Sequence, residues 1–126
     1  MANLTLTTRD VARELARRYS TMTHDELDVL ESILRPMKFA KNEKILTEGE
    51  TCENIYWVAK GLVRQFYFKN GKELTEHMAV ENSIVMCIES LFMEKPTRLQ
   101  IMALEPTVLY AMPRILLEQV AMKSVF

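Results

Sequence analysis

The chain has 126 residues, 48% of them hydrophobic, which is enough for one globular domain with its own core. The formal net charge is −1, which excludes the basic surface typical of a nucleic-acid-binding domain. Charged residues of both signs are mixed along the chain and make up 26% of it, which argues against intrinsic disorder.

Cysteine usage and hydropathy indicate the compartment. Cys52 and Cys87 are far apart in the sequence, and two thiols are too few for a zinc thiolate site or an iron–sulfur cluster. We therefore expect two reduced cysteines in a cytosolic protein. The sequence shows neither a run of about 18 apolar residues nor a signal peptide. The predicted location is the cytoplasm, without a membrane span.

Two helices are predicted at the start of the chain. From Thr7 to Ser20 apolar residues recur at helical spacing, with arginines on much of the remaining surface. Thr23 and Glu26 have the spacing of a capping box, in which each side chain bonds a free backbone amide, so a second helix is predicted to begin here. Pro36 ends that helix, because proline disfavours α geometry at the residue before it.

After the second helix the apolar period changes toward two, which predicts strands. The segment 55–59 is apolar on both faces and is therefore predicted to be a central strand. Asn70-Gly71 indicates a tight hairpin, since both residues tolerate the positive φ of a type I′ turn. Gly49 and Gly61 mark further turns. The spacing is typical of a sandwich or barrel, with strands predicted at 37–40, 44–47, 55–59, 62–68, 73–80, 99–104 and 108–112.

The stretch from Glu81 to Glu105 interrupts this pattern. It passes through a compact apolar loop at Ile84–Met93, meets Pro96, and re-enters a strand. A long and partly apolar interruption inside a compact β domain predicts a binding loop.

A helix is predicted to close the sequence. Pro113 can occupy its first turn, where the missing amide of proline costs nothing. Apolar Val125 and Phe126 stand last, so we expect this helix to meet a partner or to continue.

No catalytic constellation is evident, and we predict that the chain is not an enzyme. It has two histidines and neither a nucleophile-elbow nor a phosphate-loop motif. A metal barrel of the cupin type would need several converging histidine and glutamate ligands, and a haem sensor would need an axial ligand such as His77. His77 lies mid-strand, where a histidine hydrogen-bonded within the sheet is the simpler interpretation.

The two helices and three later segments together resemble the cyclic-nucleotide-binding domain of the CRP/FNR transcription regulators. The segments are FAKNEKILTEGE at 39–50, IYWVAKG at 55–61 and FKNGKE at 68–73, and the resemblance covers roughly Met22 to Val120. It implies a mainly β fold with flanking helices, of the double-stranded β-helix or jelly-roll barrel type. It also implies a single domain, with N-terminal helices at 1–36, the barrel at 37–112 and the start of a dimerisation helix at 113–126.

In that family the interrupting loop is a phosphate-binding cassette. It is an anion site at a helix N-terminus, with an arginine for the phosphate and a glutamate for the ribose. Glu89 fits the glutamate, but Ile88 replaces the usual glycine. Thr97 stands at the arginine position and Arg98 follows one place late, so weak cAMP or cGMP binding is predicted. The ligand-binding residues implied by the resemblance are Glu89, Ser90, Thr97 and Arg98, with Met86 and His77 as pocket wall.

The implied function is ligand sensing within a CRP/FNR-like regulator. A small-molecule effector, a cyclic nucleotide or another compound, would shift the C-terminal helix of a homodimer. No metal and no further cofactor are predicted. We expect no specific DNA binding by this chain itself, because it ends where the family's helix-turn-helix would start. The alternative is a structural or dimerisation domain in which apolar side chains at Ile84–Phe92 occlude the pocket.

Overall fold

The computed structural model describes residues 7–19, 23–116 and 118. It begins with helices α1 (Thr8–Tyr19) and α2 (His24–Ile33), which confirms both predicted helices to within about a turn. The predicted capping box is present at α2, because the Thr23 amide donates to Glu26 Oε1 at 2.8 Å and the Glu26 amide donates to Thr23 Oγ1 at 3.2 Å. None of the described helices has the length and hydropathy needed to cross a membrane.

A second reciprocal cap starts α1 and was not predicted. The Thr7 amide donates to Asp10 Oδ2 at 3.2 Å, and the Asp10 amide donates to Thr7 Oγ1 at 3.1 Å. These bonds from Thr7 favour the charged carboxylate and lower the pKa of Asp10 below its ordinary value. The spacing of Thr7 and Asp10, three residues apart, therefore marks the start of α1 more closely than the apolar spacing does.

Eight strands within the described residues form two antiparallel sheets of four. One sheet has the order β1-β8-β3-β6 and the other the order β2-β7-β4-β5. The strand at 55–59 lies in the interior of its sheet, as its two apolar faces predicted. The strands are β1 (Arg35–Phe39), β2 (Lys44–Leu46), β3 (Asn54–Lys60), β4 (Val63–Lys69), β5 (Lys72–Ala79), β6 (Ile84–Val85), β7 (Gln100–Ala103) and β8 (Thr107–Pro113).

The predicted fold class is confirmed as mainly β with flanking helices, and the arrangement is consistent with a jelly roll. The two sheets do not close into a barrel, so the barrel description is corrected to two sheets. The turn between β4 and β5 is the predicted tight hairpin, with φ of 55° at Asn70 and 78° at Gly71.

Two apolar clusters hold these layers together. The first draws on both sheets, with Val58 and Leu109 from one sheet and Val63 and Ile101 from the other. The second joins α1 and α2 to the opposite face of the β3 and β8 strands, where Trp57 and Tyr110 pack with the helical leucines. The helices α1 and α2 cover the first sheet. The candidate cleft opens beside the second sheet.

Three boundaries differ from the predictions. Pro36 follows the end of α2 as expected but lies inside β1, an edge strand where a missing amide is tolerated. Pro113 is the last residue of β8 instead of the first of a helix, and helical backbone starts directly after it at 114. The segment expected to be a loop contains a short helix, α3 (Ile88–Met93). Val125 and Phe126 lie outside the described residues.

Candidate functional site

A cleft of about 330 Å³ lies between the second sheet and the segment that contains α3. The sheet contributes Gln65 and Tyr67 from β4 and Glu76 from β5. Five of the six residues named from the resemblance line the same cleft: Met86, Glu89, Ser90, Thr97 and Arg98. The structure therefore brings these five together around one opening.

The short helix α3 is held by its surroundings. Cys87 precedes it in extended conformation and its side chain makes no capping hydrogen bond. Glu94 ends it with a φ of 54°, a left-handed conformation uncommon for a residue with a Cβ. A helix of this length is marginal by propensity alone, so tertiary contacts must supply its stability.

The segment after α3 is tied to the turn that follows β2. The Thr97 amide donates to the Glu50 carbonyl at 2.8 Å, and the Gly49 amide donates to the Thr97 carbonyl at 2.9 Å. Gly49 has a φ of 95°, which lets the turn present its amide there. The turn predicted from this glycine thus forms one anchor of the cleft wall.

Ser90 has a positioning role. It is 3% exposed, its Oγ accepts the Cys52 amide at 2.8 Å, and the same hydroxyl donates to the Lys95 carbonyl. Its donor capacity is therefore spent inside the protein. Ser90 joins α3 to the loop before β3 and to the loop that follows the helix.

Thr97 is also hydrogen-bonded internally. It is 5% exposed, and its Oγ1 accepts the Leu99 amide at 2.9 Å and donates to the Leu99 carbonyl at 3.1 Å. A local turn of this kind shapes the backbone two residues on. Thr97, which the resemblance assigns to the position of the family's arginine, therefore has no free donor for a phosphate.

Arg98 is the free cation of the cleft. Its side chain is exposed in the lining, and among the described residues it makes no hydrogen bond and no ion pair. By contrast, Arg64 on β4 pairs with Glu73 at 3.0 Å and lies 4.3 Å over the ring of Phe66. A planar guanidinium without a partner beside a cleft is suited to an anionic group of a ligand.

The acidic residues of the cleft are Glu89 and Glu76. Glu89 has a 70% exposed side chain and pairs with Lys95 at 3.2 Å across α3. Glu76 was not predicted, although it lines the cleft from β5. The pairing of β4 with β5 shifts register between Gln65 and Phe66, opposite Glu76. Strand alternation alone therefore did not show which face the Glu76 side chain occupies.

Gln65 and Tyr67 were also missed by the sequence reasoning. Both lie on the same face of β4 as buried Val63, because side chains two residues apart on a strand share a face. A polar Gln65 on that buried face was the signal that could have predicted a role in the cleft. Gln65 is 5% exposed and donates from Nε2 to the Met86 carbonyl at 2.8 Å. This bond holds the link between β6 and α3 against the second sheet.

His77 lies on β5 and is exposed, opposite Gln65 in the strand pairing. Its side chain is absent from the cleft lining, so its predicted role in the pocket wall stays a prediction. Within the described residues no group of three or more histidine, cysteine or acidic side chains is placed to hold a metal ion.

Two buried thiols lie at the cleft, of which Cys87 is part of the lining. Gln65 Nε2 donates to Cys87 Sγ at 3.3 Å, and Cys52 Sγ donates to the Asn54 carbonyl at 3.3 Å. The hydrogen bond from Cys87 lowers the pKa of Cys52 from 9.0 to about 6, against the opposing effect of burial. The same contact and burial raise the pKa of Cys87.

The apolar residues expected to occlude the pocket divide into two groups. Val85 and Leu91 are buried in the core between the sheets. Ile88 is 60% exposed and borders the cleft without filling it, and Phe92 is 54% exposed and is not part of the lining. The cleft therefore remains open beside α3.

The chain matches a known family model over most of its length. The model of the cyclic nucleotide-binding domain matches residues 36–124. No curated protein matches the chain.

Three solved structures illustrate the likeness in fold. The catabolite activator protein of Thermus thermophilus is 22% identical with a TM-score of 0.72, over 87% of this chain and 50% of its own. The sensor domain of the transcriptional regulator DNR from Pseudomonas aeruginosa is 14% identical with a TM-score of 0.72, over 89% and 73%. The regulatory subunit of a cAMP-independent protein kinase A from Trypanosoma cruzi, bound to guanosine, is 19% identical with a TM-score of 0.71, over 90% and 43%. The chain thus spans about half the length of the catabolite activator protein.

Proposed function

The chain belongs to the cyclic nucleotide-binding domain family, and on this premise we propose that it is the ligand-sensing domain of a CRP/FNR-like transcription regulator. Its role is regulatory and non-catalytic. The observation that carries the proposal is the open cleft beside α3 with the unpaired guanidinium of Arg98 in its lining. The proposed setting is the cytoplasm, where the two thiols stay reduced.

The cleft favours a small ligand with one anionic group and a hydrogen-bonding body. Arg98 supplies the positive charge, and Glu76, which lines the cleft from β5, can accept hydrogen bonds from the ligand. Tyr67, Met86 and Leu99 add apolar surface for a ring or chain. A nucleotide or a smaller phosphorylated or carboxylated metabolite satisfies this pattern.

Tight binding of cAMP or cGMP in the usual family manner is not expected. The hydroxyl of Thr97 is committed to Leu99, and the carboxylate of Glu89 is paired with Lys95. Ile88 adds a β-branched side chain where the family has glycine. A lost bidentate arginine–phosphate contact commonly costs about 1.5–3 kcal/mol, so Arg98 would have to replace it from a neighbouring position.

A route for transmitting occupancy runs from α3 to the backbone after β8. Arg114 Nη2 pairs with Glu94 Oε1 at 3.0 Å, and its guanidinium carbon lies 5.8 Å from the ring centroid of Phe92. The Arg114 amide donates to the Glu53 carbonyl at 3.0 Å. A ligand that moves α3 therefore pulls on the first helical residues after β8, which supports the proposed shift of the C-terminal helix in a homodimer.

Isothermal titration with cAMP, cGMP, cyclic dinucleotides and guanosine tests the proposal. Binding that is lost in Arg98→Ala and kept in Arg13→Ala is the expected result. Arg13 is a suitable control because it is an exposed arginine of α1, outside the cleft lining. Unchanged binding by Arg98→Ala would refute the role of Arg98 as the anion site. The absence of binding heat with all four ligand classes would exclude nucleotide sensing.

The alternative is a structural or dimerisation domain without a ligand, and the burial of Val85 in β6 and of Leu91 in α3 favours it. This function predicts a homodimer that forms without any effector. Light scattering at high concentration, with and without a ligand found by titration, separates the two. A dimer whose formation no ligand changes supports the structural function. A monomer contradicts the homodimer that both proposed functions require.

A further inference from the structure

The cleft lining holds a second charged group without a protein partner, the carboxylate of Glu76. Glu76 is exposed, lines the cleft from β5, and makes no hydrogen bond and no ion pair among the described residues. The other acidic residue of the lining, Glu89, is paired with Lys95 at 3.2 Å. Within the described part of the chain, Glu76 is therefore the acidic group of the cleft that can accept hydrogen bonds from a ligand with both oxygens.

Strand pairing places Glu76 and Arg98 on either side of β4. One edge of β4 pairs with β5 and the other edge pairs with β7. Glu76 lies on β5, whereas Arg98 lies two residues before β7 begins at Gln100. The backbones at Glu76 and Arg98 are therefore separated by two strand spacings, about 10 Å. The carboxylate and the guanidinium are not paired with each other, and they can contact opposite ends of one ligand.

The remaining surface of the cleft suits a flat ring. Tyr67 on β4, Met86 before α3 and Leu99 next to Arg98 are half-buried and line the cleft. Aromatic and thioether side chains pack well against the faces of rings. The volume of about 330 Å³ is within the range of small-molecule sites and favours a ligand of mononucleotide size over a short zwitterion of the amino-acid type.

We propose that Glu76 selects a guanine base over an adenine base, and that the ligand of the cleft is a guanine nucleotide whose phosphate is held by Arg98. This inference rests on the proposed function, since it requires the same cleft to be a ligand site, and it names the ligand class. Glu76 is in this role a specificity-determining residue that the sequence reasoning did not single out.

The hydrogen-bonding edge of the base explains the selection. Guanine presents two adjacent N–H donors, from N1 and from the 2-amino group, and the two oxygens of a carboxylate can accept both. Adenine carries an acceptor nitrogen at N1 and no 2-amino group, so it leaves the carboxylate facing a lone pair. A polar group left without its partner is a strong source of discrimination between ligands of the same size.

Isothermal titration of the wild-type chain with the 5′-monophosphates of guanosine, inosine and adenosine (GMP, IMP and AMP) tests this selection without a variant. GMP should bind about tenfold more tightly than AMP, because a matched bidentate contact to a base discriminates by at least that factor. IMP keeps the N1 donor and lacks the 2-amino group, so its affinity should fall between the two. Equal affinities of GMP and AMP, or tighter binding of AMP, would refute the role of Glu76.

The variant Glu76→Gln replaces one acceptor oxygen by an amide donor at nearly the same shape. It should bind GMP about tenfold more weakly than wild type, without losing affinity for AMP. Glu81→Gln is the matched control, because Glu81 is exposed, outside the cleft lining and without a hydrogen bond or ion pair among the described residues. Equal GMP affinities of the two variants, measured after thermal unfolding has shown that both are folded, would overturn the proposal.

The outcomes distinguish this inference from the proposed function. If GMP and AMP bind equally and both are lost in Arg98→Ala, the cleft is a ligand site and only the assignment of Glu76 is wrong. If neither GMP nor AMP binds, the guanine assignment is wrong, and the titrations with cyclic nucleotides test the proposed function on their own.

Discussion

Ser90 Oγ accepts the backbone amide of Cys52 at 2.8 Å, a buried hydrogen bond between residues on different elements. Through this bond α3 is attached to the loop that leads into β3. The hydroxyl also donates to the Lys95 carbonyl, so one side chain organises both ends of the cleft wall. A short helix with no side-chain cap depends on such contacts.

Replacement of Ser90 should therefore destabilise the domain. Ser90→Ala leaves the buried Cys52 amide without an acceptor, a loss of about 1–3 kcal/mol. Urea denaturation measures the change in the free energy of unfolding. Ser32→Ala, at an exposed position of α2, is the matched control and should change the free energy of unfolding by less than about 0.5 kcal/mol. Equal effects of the two substitutions would contradict the role given to Ser90.

Gly61 should tolerate no side chain, unlike the other positive-φ glycines. A Cβ at Gly61 would overlap Thr107 Oγ1 and lie 2.8 Å from the Pro106 carbonyl oxygen, and φ is 108°. Gly71 has a φ of 78° with open space around the same position. We expect Gly71→Ala to cost about 1 kcal/mol and Gly61→Ala about 3 kcal/mol or more, because strain and overlap add. Thermal unfolding of both variants measures the two losses of stability. The same melting temperature for both would show that the backbone at Pro106 and Thr107 moves without cost to accommodate the new side chain.

The capping box at α2 should contribute measurably to stability. Thr23→Ala removes the acceptor for the Glu26 amide and is expected to cost about 1 kcal/mol. The matched control is Thr51→Ala, an exposed threonine whose side chain makes no hydrogen bond among the described residues. Chemical denaturation monitored by circular dichroism gives both values, and a Thr23→Ala loss no larger than that of Thr51→Ala would show that the cap is dispensable.

The thiol pair should make stability depend on pH. The folded pKa of Cys52 is lowered to about 6 from 9.0, so the unfolded chain binds more protons between these values and stability rises with pH across that window. The contribution is lost as pH falls through about 6. Above the ordinary thiol pKa the raised pKa of Cys87 acts in the opposite direction, because only the unfolded state then ionises that group.

Urea midpoints measured across this range test the effect. Wild type should gain stability relative to Cys52→Ala as pH rises from about 6 toward 9. Ultraviolet absorbance of the thiolate gives an independent titration, with a midpoint that should move upward in Cys87→Ala because the principal hydrogen bond is gone. Parallel pH profiles for wild type and Cys52→Ala would contradict the lowered pKa of Cys52.

Much of the fold could be predicted because it follows from local chemistry. Thr23 and Glu26 are three residues apart, and Asn70 and Gly71 are adjacent, so their backbone preferences operate before any tertiary contact forms. The double-sided apolar run at 55–59 likewise predicted an interior strand. The location of the cleft beside the segment 81–105 followed from the same pattern, because that segment alone interrupted the strands.

Only the tertiary structure decided the contents of the cleft. The direction of Glu76 depends on a bulge against β4. The helix α3 is held by the bonds of Ser90 to Cys52 and Lys95, and the link before it is held by Gln65. Cys52 and Cys87, which are distant in sequence, come together in one buried apolar cluster. By itself the sequence determined the turns, caps and strand faces, since these rest on neighbouring residues. The hydrogen-bond partners of Ser90 and Thr97, and the freedom of Arg98, depend on how distant segments pack, and therefore appeared only in the folded chain.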